Sequence, residues 1–155
     1  MDLNEEARLM KSVPLFQCMD PAKLRLLAFS SERHSYSPGE VVCRQGEEGD
    51  SAFVILSGEA EVLVDSLDPG TDPYKVAELG PHALVGEMAV LCDRPRSATV
   101  RATTPLEALQ IRRSFLLDMF RSDPRVMLEV LRIMAMRLAA TTEELGRARR
   151  AAAGA

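Results

Sequence analysis

A chain of 155 residues, 46% apolar and 27% charged, is long enough to bury a core as one domain and too apolar to stay wholly disordered. Its formal net charge of −4 provides no basic excess for gripping a phosphate backbone, so direct nucleic-acid binding is not expected. Three cysteines, Cys18, Cys43 and Cys92, lack the paired short spacing of a zinc or disulfide framework and read as reduced, buried thiols.

The N-terminal MDLNEEARLMK is acidic where a signal peptide would be basic and then apolar. No stretch approaches membrane-spanning length, so the protein is expected in the cytoplasm with no membrane partner. Asn4 followed by Glu5 and Glu6 marks a helix start, with Leu9, Met10 and Val13 as its apolar stripe and Pro14 closing it. Asp20-Pro21 then pairs an N-cap with proline at the first helical position. It opens a second short helix through Leu24, Leu26, Leu27 and Ala28. Residues 1–30 are thus assigned to short N-terminal helices.

From Glu32 to Arg112 the texture changes to short β-branched runs cut by turns at Pro38-Gly39, Gly46 to Asp50, Gly58, Pro69-Gly70, Gly80-Pro81 and Arg94-Pro95. Strands are expected near 41–44, 52–57, 60–65, 75–79, 97–102 and 106–111. Such close spacing predicts a mainly β domain with flanking helices, an antiparallel, jelly-roll-like β-roll over residues 31–113, rather than βαβ units.

Ser114 is expected to cap a short helix through Phe115, Leu116, Leu117 and Phe120, and Asp123-Pro124 opens a long helix toward Arg150, with a frayed AAAGA tail. Residues 114–150 are therefore C-terminal helices of a single domain, 1–155. Met127, Leu131, Met134, Leu138, Thr141 and Leu145 alternate steps of four and three, the seam of a coiled coil, and Val126, Val130 and Ile133 form a second stripe. One stripe is assigned to the roll and the other to a second copy of the chain in a parallel homodimer. Arg147, Arg149 and Arg150 read as a solvated helix tip that complements the dipole.

The segment most informative about function is VGEMAVLCDRPRSATVRA, residues 85–102. Gly86, Glu87, Met88 and Ala89 stand ten positions before Arg96, Ser97 and Ala98. A cyclic phosphate, with one negative charge, suits backbone N–H groups at a short helix start plus one guanidinium fork. Glu87, an acceptor-only carboxylate, suits a sugar hydroxyl instead, so Glu87 and Arg96 would read opposite ends of a ribose phosphate.

At these residues the sequence resembles the cyclic-nucleotide-binding domain family, which includes the catabolite activator protein, protein kinase A regulatory subunits and nucleotide-gated channels. YSPGEVVCRQGEEGDSAFVILSGEAEV is similar to the family's glycine-punctuated first strands, KVAELGP to its approach strand, and GEMAVLCDRPRSATV to its phosphate-binding cassette. The resemblance implies ribose and phosphate roles for Gly86, Glu87 and Arg96, and backbone or hydroxyl donation at Met88, Ala89, Ser97 and Ala98. It also places Val62, Val76 and Val85 in the base pocket. RLAATTEELG resembles the catabolite activator protein's adenine-contacting segment, which puts the hydroxyl pair on Thr141 and Thr142 and favours cyclic AMP. The alternative reading makes these threonines packing residues of the seam, and in the family a hydroxyl at the Ser97 position suits cyclic GMP. The glycine and the aspartate or asparagine that usually precede the cassette are replaced by His82 and Ala83.

The expected function is a cyclic-nucleotide sensor, with cyclic AMP or else cyclic GMP as ligand, that performs no catalysis and carries no cofactor or metal. Ligand binding is expected to move the C-terminal helix and so reach an unidentified downstream protein. With no helix-turn-helix before Ala155, a stand-alone sensor or an excised regulatory piece is expected. The alternatives are a degenerate roll used for protein contacts without nucleotide, and a metal-dependent enzyme on a cupin-like roll. His34 and His82 are too few for a histidine metal cluster.

Overall fold

The computed structural model describes residues 3–154, and its N-terminal part is helical. Helix α1 (Leu3–Lys11) carries acidic Glu5 and Glu6 in its first turn and basic Arg8 and Lys11 in its last, charges that suit the helix dipole. Pro14 lies beyond the end of α1 and opens a single 3-10 turn, Pro14–Phe16, which buries Leu15 and Phe16. Helix α2 (Pro21–Ser30) starts where expected, with Asp20 at the N-cap and Pro21 in the first turn. The Asp20 side chain makes no capping hydrogen bond.

Eight strands follow: β1 (Glu32–Tyr36), β2 (Val41–Cys43), β3 (Ser51–Ser57), β4 (Ala60–Val64), β5 (Tyr74–Leu79), β6 (Leu84–Val85), β7 (Thr99–Ala102) and β8 (Leu106–Arg112). They form two four-stranded sheets in the orders β1-β8-β3-β6 and β2-β7-β4-β5. Every pairing is antiparallel. This is the antiparallel roll that the turn spacing predicts. Two strands escape that reading: β1, ERHSY, is too polar to look like a strand, and β6 is only two residues long.

The period-two alternation of β3 and β8 divides the core. Ala52, Val54, Leu109 and Ile111 face a layer of helices that adds Phe16, Leu24, Leu27, Leu116, Phe120, Val126 and Val130. Phe53, Ile55, Leu106 and Ala108 face the second sheet, together with Cys43, Ala60, Val85 and Val100. Of the three cysteines only Cys43 is buried; Cys18 is half-buried and Cys92 is exposed. The correction at Cys92 follows from its place at the end of α3 (Glu87–Cys92), whose inward face is used by Glu87, Ala89 and Val90.

His82 takes a φ of 77°, with its amide donating to the Ile55 carbonyl at 2.7 Å. A side chain therefore occupies a left-handed position at the point where the resemblance substitutes His82-Ala83 for a glycine-led turn.

At the C-terminal end, α4 (Arg113–Ser122) has Arg112 at its N-cap, so Ser114 lies inside the first turn and is not the cap. Asp123 does cap α5 (Pro124–Ala153), accepting from the Arg125 amide at 3.2 Å. The helix is regular to Ala153 where fraying was expected, and Ala155 falls outside the described residues.

The expected seam on α5 splits. Val126 and Val130 are buried in the helix-side core, with Ile133, Met127 and Met134 packed against it. The apolar residues left in solvent are Leu128, Leu131, Leu138 and Leu145, from 54% to 68% exposed, with Met136 beside them. Met127 and Met134 thus belong to the roll contact, and the free stripe is shifted to Leu128, Leu131, Ala135, Leu138, Thr142 and Leu145. Its steps of three and four are still those of a coiled-coil seam.

Candidate functional site

Gly86 joins β6 to α3 with a φ of 78°, which ordinary side chains rarely adopt. A Cβ there would also stand 2.1 Å from Arg96 Nη1, so the glycine leaves the space that the guanidinium fills. The N-cap Gly86 has no side chain to cap the amide end of α3, where Glu87, Met88 and Ala89 begin the helix, and the Glu87 carboxylate takes a hydrogen bond from its own backbone. The helix offers no backbone acceptor to the Met88 and Ala89 N–H groups, which are left for a partner outside it.

Arg96 arrives from the loop before β7, tied down by its own backbone. Its amide donates to the Glu47 carbonyl at 2.8 Å, and its carbonyl accepts from the Gly46 amide at 2.9 Å. The side chain is only 6% exposed. It donates to the Gly86 carbonyl at 3.1 Å and to Ser51 Oγ at 3.5 Å, and it lies over the Phe53 ring at 5.7 Å. No carboxylate is in ion-pair contact with it, whereas nine lysine or arginine pairs with carboxylates occur elsewhere among the described residues. A buried guanidinium without a counter-charge is costly unless an anion completes it.

Glu87 is 4% exposed and pairs with Arg137, which reaches down from α5 and also donates to the Leu84 carbonyl at 2.6 Å. Burial pushes the Glu87 carboxyl above its ordinary value of 4.5, against the opposing pull of Arg137 and, more weakly, Arg96. A group with a raised folded value stabilises the fold below the unfolded value and loses that contribution as pH rises toward the folded one. The parent is therefore expected to gain stability relative to Glu87→Gln as pH falls from 7 to 4, in thermal scans of both proteins across that range. The same variant should bind a ribose-containing ligand more weakly, because an amide oxygen accepts without charge assistance.

Arg137 was not among the residues singled out from sequence. An arginine on a long helix ordinarily reads as surface, and its partner lies 50 positions away. The available signal was its place four residues before Thr141, on the same helical face.

These groups line one cavity of about 400 Å³. Of the sequence-selected residues, Gly86, Glu87, Met88, Ala89, Arg96, Ser97 and Ala98 form its cassette side, and Val62, Val76 and Val85 its apolar side. Arg137, Ala140, Thr141 and Glu144 bring α5 across it. Thr142 does not line it: this residue is exposed on the free stripe, and its hydroxyl donates to the Leu138 carbonyl at 2.8 Å. Adjacent helical residues point about 100° apart, so the pair cannot share one face in one subunit. Cys43 also lines the cavity, and burial pushes its thiol up, which keeps it in the unreactive protonated form. Among the described residues no group of three or more His, Cys, Asp or Glu is placed to hold a metal ion, and no helix is long and apolar enough to cross a membrane.

The cyclic nucleotide-binding domain model matches residues 33–123, more than half of the chain. The chain is 35% identical over 119 residues to a cyclic nucleotide-gated potassium channel of Mesorhizobium japonicum, covering 77% of this chain and 31% of the channel. Among solved structures it resembles the catabolite activator protein of Thermus thermophilus at 30% identity and a TM-score of 0.73, covering 85% of this chain and 61% of that one. A cAMP-binding acyltransferase from Mycobacterium smegmatis matches at 28% identity and a TM-score of 0.77, covering 89% and 42%. The chain spans less than a third of the length of the curated relatives it matches.

Proposed function

The chain belongs to the cyclic nucleotide-binding domain family, and from that premise we propose that it is a regulatory module whose ligand is cyclic AMP. The observation that carries the reading is Arg96, buried without an ion-pair partner beside the amide end of α3. Arg96 and the α3 amides hold the cyclic phosphate, with Ser97 and Ala98 beside it. Glu87 accepts from the ribose hydroxyl, while Val62, Val76 and Val85 receive the base. The preference for cyclic AMP is supported by Thr141, which faces the cavity from α5, and by relatives described as cAMP-dependent kinase regulatory subunits and a cAMP-binding acyltransferase. The domain does no chemistry itself and acts in the cytoplasm.

Signal transfer runs through α5. Arg137 already ties that helix to Glu87 and to the Leu84 carbonyl, so a ribose hydroxyl reaching Glu87 acts on the same carboxylate that holds the helix. A ligand that prefers the docked helix must shift it by that difference in affinity. The free stripe Leu128, Leu131, Leu138 and Leu145 joins two copies in parallel, so movement of α5 changes the dimer that a downstream protein meets. Hydrogen exchange tests the coupling. Cyclic AMP is expected to slow amides from Leu138 to Arg147 as well as those from Gly86 to Ala98. Slowing confined to the cassette would remove α5 from the switch.

A further inference from the structure

The inner face of the β1-β8-β3-β6 sheet is apolar at Phe53, Ile55, Leu106 and Ala108, then turns polar along a single row. The row crosses three strands: Ser51 on β3, Gln110 on β8, and His34 with Glu32 on β1. The register places Glu32 opposite Gln110, His34 two residues along β1 on the same face, and Ser51 diagonal to Gln110, beside the Phe53–Gln110 pair. The row runs from buried Ser51 out to His34 and Glu32, 38% and 62% exposed at the sheet edge, and its hydrogen bonds form one chain.

Its direction follows from donor and acceptor counting. Ser51 is 2% exposed, and its hydroxyl has one proton and two lone pairs. The proton goes to Asp50 Oδ1 at 3.3 Å. The lone pairs take Gln110 Nε2 at 2.9 Å and Arg96 Nη2 at 3.5 Å. With its amide nitrogen committed to Ser51, Gln110 turns Oε1 to His34 Nε2, 2.7 Å away, and His34 Nε2 also lies 3.4 Å from Glu32 Oε2. An amide oxygen only accepts, so the His34 proton resides on Nε2. Each bond thus fixes the next, and the last member, Ser51, presents an oriented acceptor to the one buried guanidinium of the cavity that lacks a carboxylate.

We propose that Gln110 and His34 are positioning residues for Arg96, forming with Ser51 a strut across the sheet that holds the guanidinium in its anion-binding pose. The proposal rests on the reading of Arg96 as the phosphate ligand, and extends the site to an edge strand that touches no part of the cavity. Gln110 and His34 act only through Ser51, and neither lines the cavity.

Two measurements test it. In the first, cyclic AMP is titrated into the parent, Gln110→Leu, Ser51→Ala, Arg96→Ala and the double variant Arg96→Ala with Gln110→Leu. Loss of one strut bond is expected to weaken binding about five- to tenfold in each of Gln110→Leu and Ser51→Ala. The double variant is expected to bind no worse than Arg96→Ala, within about twofold, because the strut acts through the arginine. Losses that add, or a Gln110→Leu affinity equal to the parent, overturn the proposal. The second measurement needs no ligand: the Arg96 Nε–H resonance in the nucleotide-free protein is expected to be sharp in the parent and broadened by exchange in both strut variants, with amide spectra elsewhere unchanged. An Arg96 signal indifferent to Gln110→Leu and Ser51→Ala overturns the strut even if the parent binds cyclic AMP. A parent that binds no cyclic nucleotide while its Arg96 signal responds to both variants rejects the ligand assignment and leaves the strut standing.

Discussion

Arg96→Ala is expected to weaken cyclic AMP binding by about 2–5 kcal/mol, roughly thirtyfold to a few thousandfold, the range for removing one member of a desolvated, hydrogen-bonded charge pair. The side chain is 6% exposed and donates to the Gly86 carbonyl and Ser51, with no acid in ion-pair contact. That imbalance separates its contribution to binding from its contribution to folding. In the ligand-free protein the guanidinium is a buried charge that the fold tolerates at a cost, so its removal leaves the melting temperature level or raises it. With ligand, the same removal strands a phosphate against backbone amides alone. Calorimetry of the variant, paired with thermal scans of both proteins without nucleotide, separates the effects. An unchanged dissociation constant would sink the phosphate assignment, and a large fall in ligand-free stability would mark Arg96 as a structural residue.

Leu138→Glu is expected to abolish the proposed dimer and leave monomers. Leu128, Leu131, Leu138 and Leu145 lie in solvent along one side of α5, spaced by three, seven and seven residues. In a two-fold parallel pair each substitution acts twice. Two leucines leave the interface at about 2 kcal/mol each, which weakens association roughly a thousandfold before the mutual repulsion of two carboxylates is counted. Light scattering at micromolar concentrations should report a monomer for the variant and a dimer for the parent. The comparison Met134→Glu sharpens the test: Met134 packs on the roll core, so that change is expected to lower stability. A parent that is monomeric at high micromolar concentration with nucleotide present removes the dimer from the mechanism.

That Gly86 to Ala98 come together on one side of the cavity was legible because these residues are contiguous. Gly86 through Ala98 lie within thirteen positions, and a short glycine-carboxylate-arginine pattern states its chemistry without knowledge of the fold. What was not legible depends on which face of an element points where. On α5 two overlapping apolar rows fit alternating steps of three and four, one through Met127 and Met134, the other through Leu128 and Ala135. Only the packing of Val126 and Val130 against the roll decides between them. The same rotation separates Thr141, which lines the cavity, from Thr142, which does not. Arg137 and the row Ser51–Gln110–His34 escaped for a related reason: their partners lie 45 to 76 positions away, and antiparallel register alone brings them together. His82 was not legible either: its side chain gives no sign of the left-handed backbone that it adopts.

The cavity between the cassette and α5 is proposed to bind a cyclic nucleotide and to read an adenine base. Calorimetric titration of the 155-residue chain with cyclic AMP and, separately, with cyclic GMP tests it most directly. The expected result is saturable binding at one site per chain for both ligands, with cyclic AMP the tighter. Absence of heat and of any thermal shift with either nucleotide would contradict the claim outright, and tighter binding of cyclic GMP would contradict the assignment of the base.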